Sequence, residues 1–395
     1  ASSKEQADAL ARWAIRSENR ALLANMLELA KTMEGMAFPA SSFDRDPWLF
    51  TVANGTLALH TATLRPFNPE DYITRMSPVV FDPTARSAVF ERVLTKAIPD
   101  VEVRVYLQEL VGYSLTGLVN EEVFQFIHGP TGTSKSTVTE AVQGVFGDYA
   151  RTASPSTFMK RKDIGNARPD IAELNGARFV LTSEASSEER FDAELLKSFV
   201  SGDRLTARFL YARNFEFYPV SKLWITGNSR PRADVVDAAL FRRLREIPFI
   251  VQVPKSQQDP AIKREMKDPE GCGPAILRWA VEGCLLWQKE GLHDPAAIVQ
   301  AGREYEEESN PLQEFFETKC VFGPGYTTSL RDMHKGYTDW ANSMGVVPRF
   351  QTTEKRLSAI IKTQPQCSFE RDHRGRFFRG IRLALEGENG GRDRA

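Results

Sequence analysis

One stretch limits what this chain can become: Gly129-Pro130-Thr131-Gly132-Thr133-Ser134-Lys135-Ser136-Thr137, set between a short apolar run and a helical pattern. The run holds Phe124, Phe126 and Ile127. After the loop, Val138, Ala141, Val142, Val145 and Phe146 recur at the spacing of one buried helix face. Strand, loop and helix together are the setting in which the pattern GxxxxGK[ST] holds phosphate. Successive loop N–H groups and the positive end of the new helix surround a polyphosphate, Lys135 reaches its outer phosphates, and the Ser136 hydroxyl ligates Mg²⁺. A plain turn before a helix is the competing description. The motif fails at one position, Ser134, where glycine is expected because the backbone must come close to the phosphates. Serine adds only a hydroxymethyl group, so phosphate binding is expected to survive there.

At 395 residues the chain has room for two or three domains, and 42% hydrophobic with 26% charged residues is ordinary for a globular protein. Lys+Arg number 51 against 52 Asp+Glu, a net charge of −1, so any nucleic-acid site must be a local patch. Cys272, Cys284, Cys320 and Cys367 are far apart and form no CxxC, which argues against a zinc site and a disulfide framework. No apolar run approaches a membrane span and no signal peptide opens the chain, so a soluble, cytoplasmic protein is expected. The first residue is Ala1, not Met, which leaves room for an upstream domain.

Residues 4 to about 34 have the periodicity of one helix, an element for packing, with Leu10, Leu22, Leu23, Met26 and Leu27 on its apolar face. A hairpin-containing segment punctuated by Asn54-Gly55 and Pro78 follows, and helical spacing returns over 84 to 112. Phe179, Val180 and Leu181 make a buried strand ending in Thr182-Ser183-Glu184. An acid there can polarise water and share in Mg²⁺ binding, although a surface glutamate closing a strand has the same signature. A second buried strand, Lys222 to Gly227, ends at Asn228, whose amide can bond both a phosphate and the attacking water. Ligands of parallel sheets collect beyond the carboxyl ends of strands, and all three features lie at such ends. Phe241-Arg242-Arg243-Leu244-Arg245 offers guanidiniums for a neighbouring subunit's phosphoryl transfer, or is simply a solvated basic turn.

Between those strands, 204 to 220 alternates as a hairpin with Arg208, Tyr211 and Arg213 near its tip. Cations beside an aromatic ring suit single-stranded nucleic acid, and an ordinary polar hairpin tip would look the same. Beyond a helix over 271 to 291, a boundary is expected near Asn310-Pro311. From there the order is helix (312 to 319), short strand (Tyr326 to Thr328), helix (330 to 344), helix (354 to 363) and an extended pair around 372 to 375, which fits a winged helix. Within 370 to 382, Arg371, Arg374, Arg376, Arg379 and Arg382 face only Glu370 and Asp372, so this wing is locally basic. The tail over 386 to 395 reads as disordered.

On these residues the chain resembles the superfamily III helicases, and within them the helicase portion of phage and plasmid primase-helicases related to those of poxviruses. Gly129 to Thr137 is similar to that family's A motif, Phe179 to Glu184 to its B motif, Asp203 to Phe217 to B′, and Lys222 to Pro231 to C. Phe241 to Phe249 looks like the arginine-finger region, with Arg242 and Arg243 both open for that role. The resemblance implies an α/β fold: a mainly helical N-terminal helicase-associated domain over 1–110, an AAA+-like P-loop ATPase core over 111–309, and a winged-helix domain over 310–385. It implies a homo-oligomeric, hexameric ring that uses ATP and Mg²⁺ to move on single-stranded or forked DNA in the cytoplasm of a host cell, with a primase or primase-polymerase domain upstream. A second reading is a nucleotide-gated origin-recognition or loading factor with little unwinding. A third, a small-molecule kinase, is opposed by the wing and hairpin.

Overall fold

The computed structural model describes residues 3–161, 168–182, 190–231, 238–309, 312–346, 348, 351–373, 375–385 and 391–392. The single N-terminal helix expected is two, α1 (Ser3–Ser17) and α2 (Arg20–Ala30), because the Asn19 side chain accepts from Ala21 N–H and starts a new helix. The apolar face expected to pack lies open: Leu10 is 66% exposed, Met26 57% and Leu27 59%. Strands β1 (Leu49–Val52), β2 (Gly55–Ala58) and β3 (Thr63–Arg65) then form an antiparallel meander whose first turn carries Asn54, as the sequence indicated. The helical stretch over 84 to 112 also divides, into α3 (Ala88–Ala97) and α4 (Val101–Leu115). Pro99 cannot continue a helix, and Asp100 caps the next one by accepting from Glu102 and Val103 N–H.

The centre is built from β4 (Phe124–His128), α5 (Lys135–Phe146), β5 (Ala150–Ala153), α6 (Pro169–Ala172), β6 (Phe179–Thr182), α7 (Ala193–Val200), the hairpin β7 (Leu205–Ala207) and β8 (Phe215–Phe217), β9 (Lys222–Gly227), α8 (Ala238–Arg243) and β10 (Leu244–Pro248). Five of these strands form one all-parallel sheet in the order β10-β4-β9-β6-β5. Parallel sheets are covered on both faces, so their strands read as unbroken apolar runs, as FQFIH, FVLT and KLWITG nearly do. Alternation sorts the side chains. Ile127, Phe179, Leu181, Trp224 and Ile247 enter the core shared with the helices α4 and α5, whereas Phe126, Val180, Leu223, Ile225 and Leu244 enter the one that includes Leu196 and Phe199 of α7.

Helices α9 (Pro260–Lys267), α10 (Gly273–Glu290) and α11 (Ala296–Glu308) complete this body. Helix α10 lies directly on α4. A Cβ on Gly112 would stand 2.0 Å from the Cys284 backbone nitrogen, and one on Gly283 would stand 2.0 Å from the Gln108 carbonyl, so only glycine permits the approach. The remaining elements, α12 (Gln313–Lys319), β11 (Cys320–Ser329), α13 (Leu330–Ser343), α14 (Glu354–Lys362), β12 (Ser368–Asp372), β13 (Gly375–Leu383) and β14 (Gly391–Arg392), enclose a separate core around Phe315, Met333, Leu357, Ile360 and Phe378. Strand β11 is longer than the sequence indicated. Its pairing with β13 shifts register between Phe322 and Thr327, where Gly323-Pro324-Gly325 bulges without ending the strand. The tail also differs from the disordered reading at Gly391–Arg392, which pairs in parallel with Val321–Phe322.

Gly112→Ala is expected to cost about 3 kcal/mol or more, at the upper end of overpacking penalties, since backbone rather than a flexible side chain blocks the new methyl group. The midpoint of urea unfolding measures it; an unchanged midpoint would mean that α4 and α10 lie farther apart than described.

Candidate nucleotide site

The loop between β4 and α5 is shaped by three positive φ angles. Gly129 has φ +154°, and a Cβ there would sit 1.9 Å from the Phe249 carbonyl oxygen, so the segment after β10 presses directly on the loop. Phe249 N–H donates to the His128 carbonyl at 2.7 Å and Val253 N–H to the Gly132 carbonyl at 2.8 Å, fixing that segment along it. Gly132 has φ +83°. Ser134, at the place of the motif glycine, has φ +68° and ψ +11°, the left-handed conformation that costs an L-residue roughly 1–2 kcal/mol. The glycine pattern thus reflects a real dihedral demand, which this chain meets with a strained serine.

The Lys135 side chain is buried and folds back on the loop. Its Nζ donates to the Gly129 carbonyl at 2.5 Å, the Pro130 carbonyl at 2.8 Å and Thr133 Oγ1 at 3.3 Å. Burial pushes its ammonium below the usual lysine range. An arriving polyphosphate would replace neutral carbonyl partners by anionic oxygens, adding charge–charge attraction to the hydrogen bonds. Thr133 Oγ1 donates to the Pro130 carbonyl at 2.9 Å and closes the loop on itself. Ser136, in the first turn of α5, is exposed, and its hydroxyl is free of protein partners among the described residues.

Strand β9 pairs with β4 so that Thr226 lies opposite Ile127 and Gly227 opposite His128. Asn228, the next residue, is therefore brought beside the start of the loop, and it is exposed. On the other side of β9, Thr182 ends β6 opposite Ile225; Glu184, expected two residues beyond, lies outside the described residues. Arg242 and Arg243 are not brought to this loop. They end α8 just before Leu244, which pairs with Phe124 at the opposite end of β4, a strand length of about 16 Å from the loop. Arg243 donates to Glu122 Oε2 at 2.6 Å and Ser201 Oγ at 3.0 Å, while the Arg242 side chain is exposed.

The hairpin forms where the sequence placed it, with Leu205 opposite Phe217 and Ala207 opposite Phe215. Arg208, Tyr211 and Arg213 all lie exposed in its connecting segment, Tyr211 with φ +62° and its ring wholly in solvent. Phe209 stacks on Phe215 at 5.8 Å beneath it. In the C-terminal hairpin, Arg374 lies outside the described residues, Arg376 pairs with Glu354 at 3.1 Å and Arg379 with Glu370 at 2.8 Å, so part of the basic strip is neutralised.

Two features escaped the sequence reading. The Glu246 carboxylate, 1% exposed on β10, receives the His128 ring at 2.8 Å and Arg230 Nε at 3.0 Å, and Arg230 also bonds Glu308 of α11. An acid inside the run Leu244 to Phe249 was its only signal. The second is a cleft of about 650 Å³ alongside Gly132, Ser134 and Thr137, between α3 and the segment 253 to 263.

By fold and site this is a mixed α/β protein with a parallel sheet and a phosphate-loop motif at its strand ends. Comparison with known proteins carries the assignment further. Residues 1–99 match the family described as "D5 N terminal like", and residues 127–243 match a "Family of unknown function (DUF5906)". The chain is 25% identical over 328 residues to "Putative helicase L207/L206" of Acanthamoeba polyphaga mimivirus, covering 76% of this chain and 34% of that one. It is 24% identical over 383 residues to "Putative helicase 022R" of Frog virus 3, covering 76% and 39%. It is therefore related to the helicases of the phage and viral primase-helicase type, and spans little more than a third of those two relatives. Among solved structures, the apo C-terminal region of NrS-1 aligns over 91% of this chain and 90% of its own, with TM-score 0.47 and 11% identity. Among the described residues no helix is long and apolar enough to cross a membrane.

Ser134→Gly is expected to raise stability by about 1 kcal/mol, the left-handed penalty less glycine's entropic cost, and to leave nucleotide affinity equal or higher. Thermal unfolding and equilibrium binding check it together; a large loss of affinity would mean that the serine hydroxyl, not the backbone, serves the loop.

Proposed function

We propose that this chain is the motor portion of a replicative DNA helicase, hydrolysing ATP between subunits of a homo-oligomeric ring to move along single-stranded DNA and open forked duplex. The observation that carries the proposal is the split of the chemistry between opposite ends of one sheet. The phosphate loop stands at the carboxyl end of β4, and the guanidiniums stand at the amino end of β10. A site with loop and guanidinium together requires a second copy. Arg242, exposed, suits that role better than Arg243, which Glu122 and Ser201 already hold. Six copies, as the family resemblance implies, would make the ring.

Within one site, the loop residues Gly129 to Thr137 would cradle the phosphates and Lys135 would leave its carbonyls for the outer ones. Mg²⁺ keeps few protein ligands and takes the rest from phosphate and water, so one exposed hydroxyl, Ser136, with Glu184 beyond the end of β6, is a donor set that fits it. Bound there, the ion would neutralise charge on the phosphates. Glu184 would take the proton of the attacking water and Asn228 would orient that water. The hairpin tip at Arg208, Tyr211 and Arg213 would grip the strand by phosphate and base stacking. The element order from α12 to β13, with helix α14 followed by the hairpin β12–β13, whose strand β13 pairs antiparallel with β11 in a four-stranded sheet, supports a winged-helix domain that presents Arg374 and Arg376 to DNA. A primase or primase-polymerase domain upstream and action in a host cytoplasm complete the reading.

The strain at Ser134 favours one competing reading, a nucleotide-gated loading factor that assembles on DNA and turns over little. Steady-state ATP hydrolysis with and without single-stranded DNA separates the two. The motor reading expects stimulation by DNA, loss of turnover in Lys135→Ala, and a fall on the order of 10³-fold in Arg242→Ala with ATP still bound. Negligible, DNA-indifferent turnover in a correctly assembled ring would sink it. Reversing charge at Arg374 and Arg376 is expected to weaken DNA binding and flatten its salt dependence; an unchanged slope reassigns the wing to protein contacts.

A further inference from the structure

The cleft beside the loop shares Gly132, Ser134 and Thr137 with the phosphate cradle and extends away from it towards α3. Val93 and Lys96 of α3 form one wall, and Gln257, Gln258 and Ile262 the other, with Gly132 at the junction. Both glutamine amides have a fixed sense. Lys96 Nζ can only donate, and it bonds Gln257 Oε1 at 2.5 Å, which leaves Gln257 Nε2 to act as a donor. The Val253 carbonyl can only accept, and Gln258 Nε2 donates to it at 2.9 Å, which leaves Gln258 Oε1 to act as an acceptor. That second amide is tied to the loop itself: a Cβ on Gly132 would stand 3.5 Å from Gln258 Nε2, and Val253 N–H bonds the Gly132 carbonyl at 2.8 Å. Asp259, on the same wall, is engaged in capping α9 through Ala261 N–H at 2.8 Å.

We propose that this cleft takes the base and sugar of the nucleotide and that Gln257 and Gln258 select adenine over guanine. The proposal rests on the nucleotide-binding reading of the loop. A donor on Gln257 and an acceptor on Gln258, both lining the cleft, match in kind the adenine edge formed by N7 and the 6-amino group, the edge a glutamine reads in nucleic acids. Guanine presents two acceptors there, N7 and O6, and would set its carbonyl oxygen against Gln258 Oε1. Val93 and Ile262, both half-buried, give the flat ring its apolar walls. A cleft of about 650 Å³ is of ordinary size for such a ligand.

The test is equilibrium binding of ATP, GTP and inorganic tripolyphosphate to the full chain and to Gln258→Ala, with Lys135→Ala as the loop control. ATP is expected to bind about 10-fold more tightly than GTP, the low end of what matching a base edge's donor and acceptor gives. Gln258→Ala should weaken ATP several-fold, bring the ratio towards one, and leave tripolyphosphate unchanged, whereas Lys135→Ala should weaken all three. Tripolyphosphate bound normally, with ATP and GTP equal and both indifferent to Gln258→Ala, overturns the base assignment and leaves the loop reading standing. Failure of the wild-type chain to bind any of the three removes the loop reading, and this inference with it.

Discussion

Two buried cations hold the rest of the molecule in place. Arg178, just before β6, donates to the Leu115 carbonyl at 2.6 Å, and Lys222, the first residue of β9, bonds the Thr116 carbonyl and the Leu118 carbonyl, the latter at 3.0 Å. Both target the end of α4, where unpaired carbonyls and the negative end of the helix dipole gather. Each also stands over an aromatic ring, Arg178 over Tyr149 and Lys222 over Tyr113, both at 4.9 Å. Burial pushes the Lys222 ammonium well below the usual lysine range, so this anchorage is made at a desolvation cost. What it achieves is geometric. The amino ends of two central strands are pinned to the helical layer, and the carboxyl end of β9 leads to the exposed Asn228.

That arrangement explains why the sequence revealed the loop and the strands before it revealed the body. The phosphate loop was legible because one backbone demand, a left-handed residue before the helix, leaves a spacing that survives even with Ser134 in the glycine's place. The central strands were legible because a parallel sheet buried on both faces requires apolar runs. The breaks within the two helical stretches were present in the text as Asn19 and as Pro99-Asp100, but periodicity alone carried the pattern across them. The exposure of α1 and α2 was not legible, since an apolar stripe looks the same whether it is covered by its own chain or not.

The contacts that no single stretch could announce are those that join strand ends. Glu246 reads as an acid misplaced in an apolar strand until His128 and Arg230 arrive from two other segments to share it. The two glutamines of the cleft are equally mute alone, because their sense is set by Lys96 from α3 and by a carbonyl five residues away. Pairwise chemistry across distant segments leaves no periodicity behind, only residue types that look out of place.

The network around Glu246 also bears on how the loop is held. His128 is the last residue before the loop, Arg230 follows Asn228 by two positions, and both bond one almost fully buried carboxylate. Removing either partner would leave that charge in the core short of a donor, a penalty larger than the net value of an exposed pair. The loop's first residue and the segment bearing Asn228 are therefore positioned by a common element, β10, whose continuation at Phe249 presses on Gly129 from the same side. A displacement of β10 would move the loop and the Asn228 segment together. This strand begins just after Arg242 and Arg243 and ends against the loop, so one short element spans the distance between those guanidiniums and the loop.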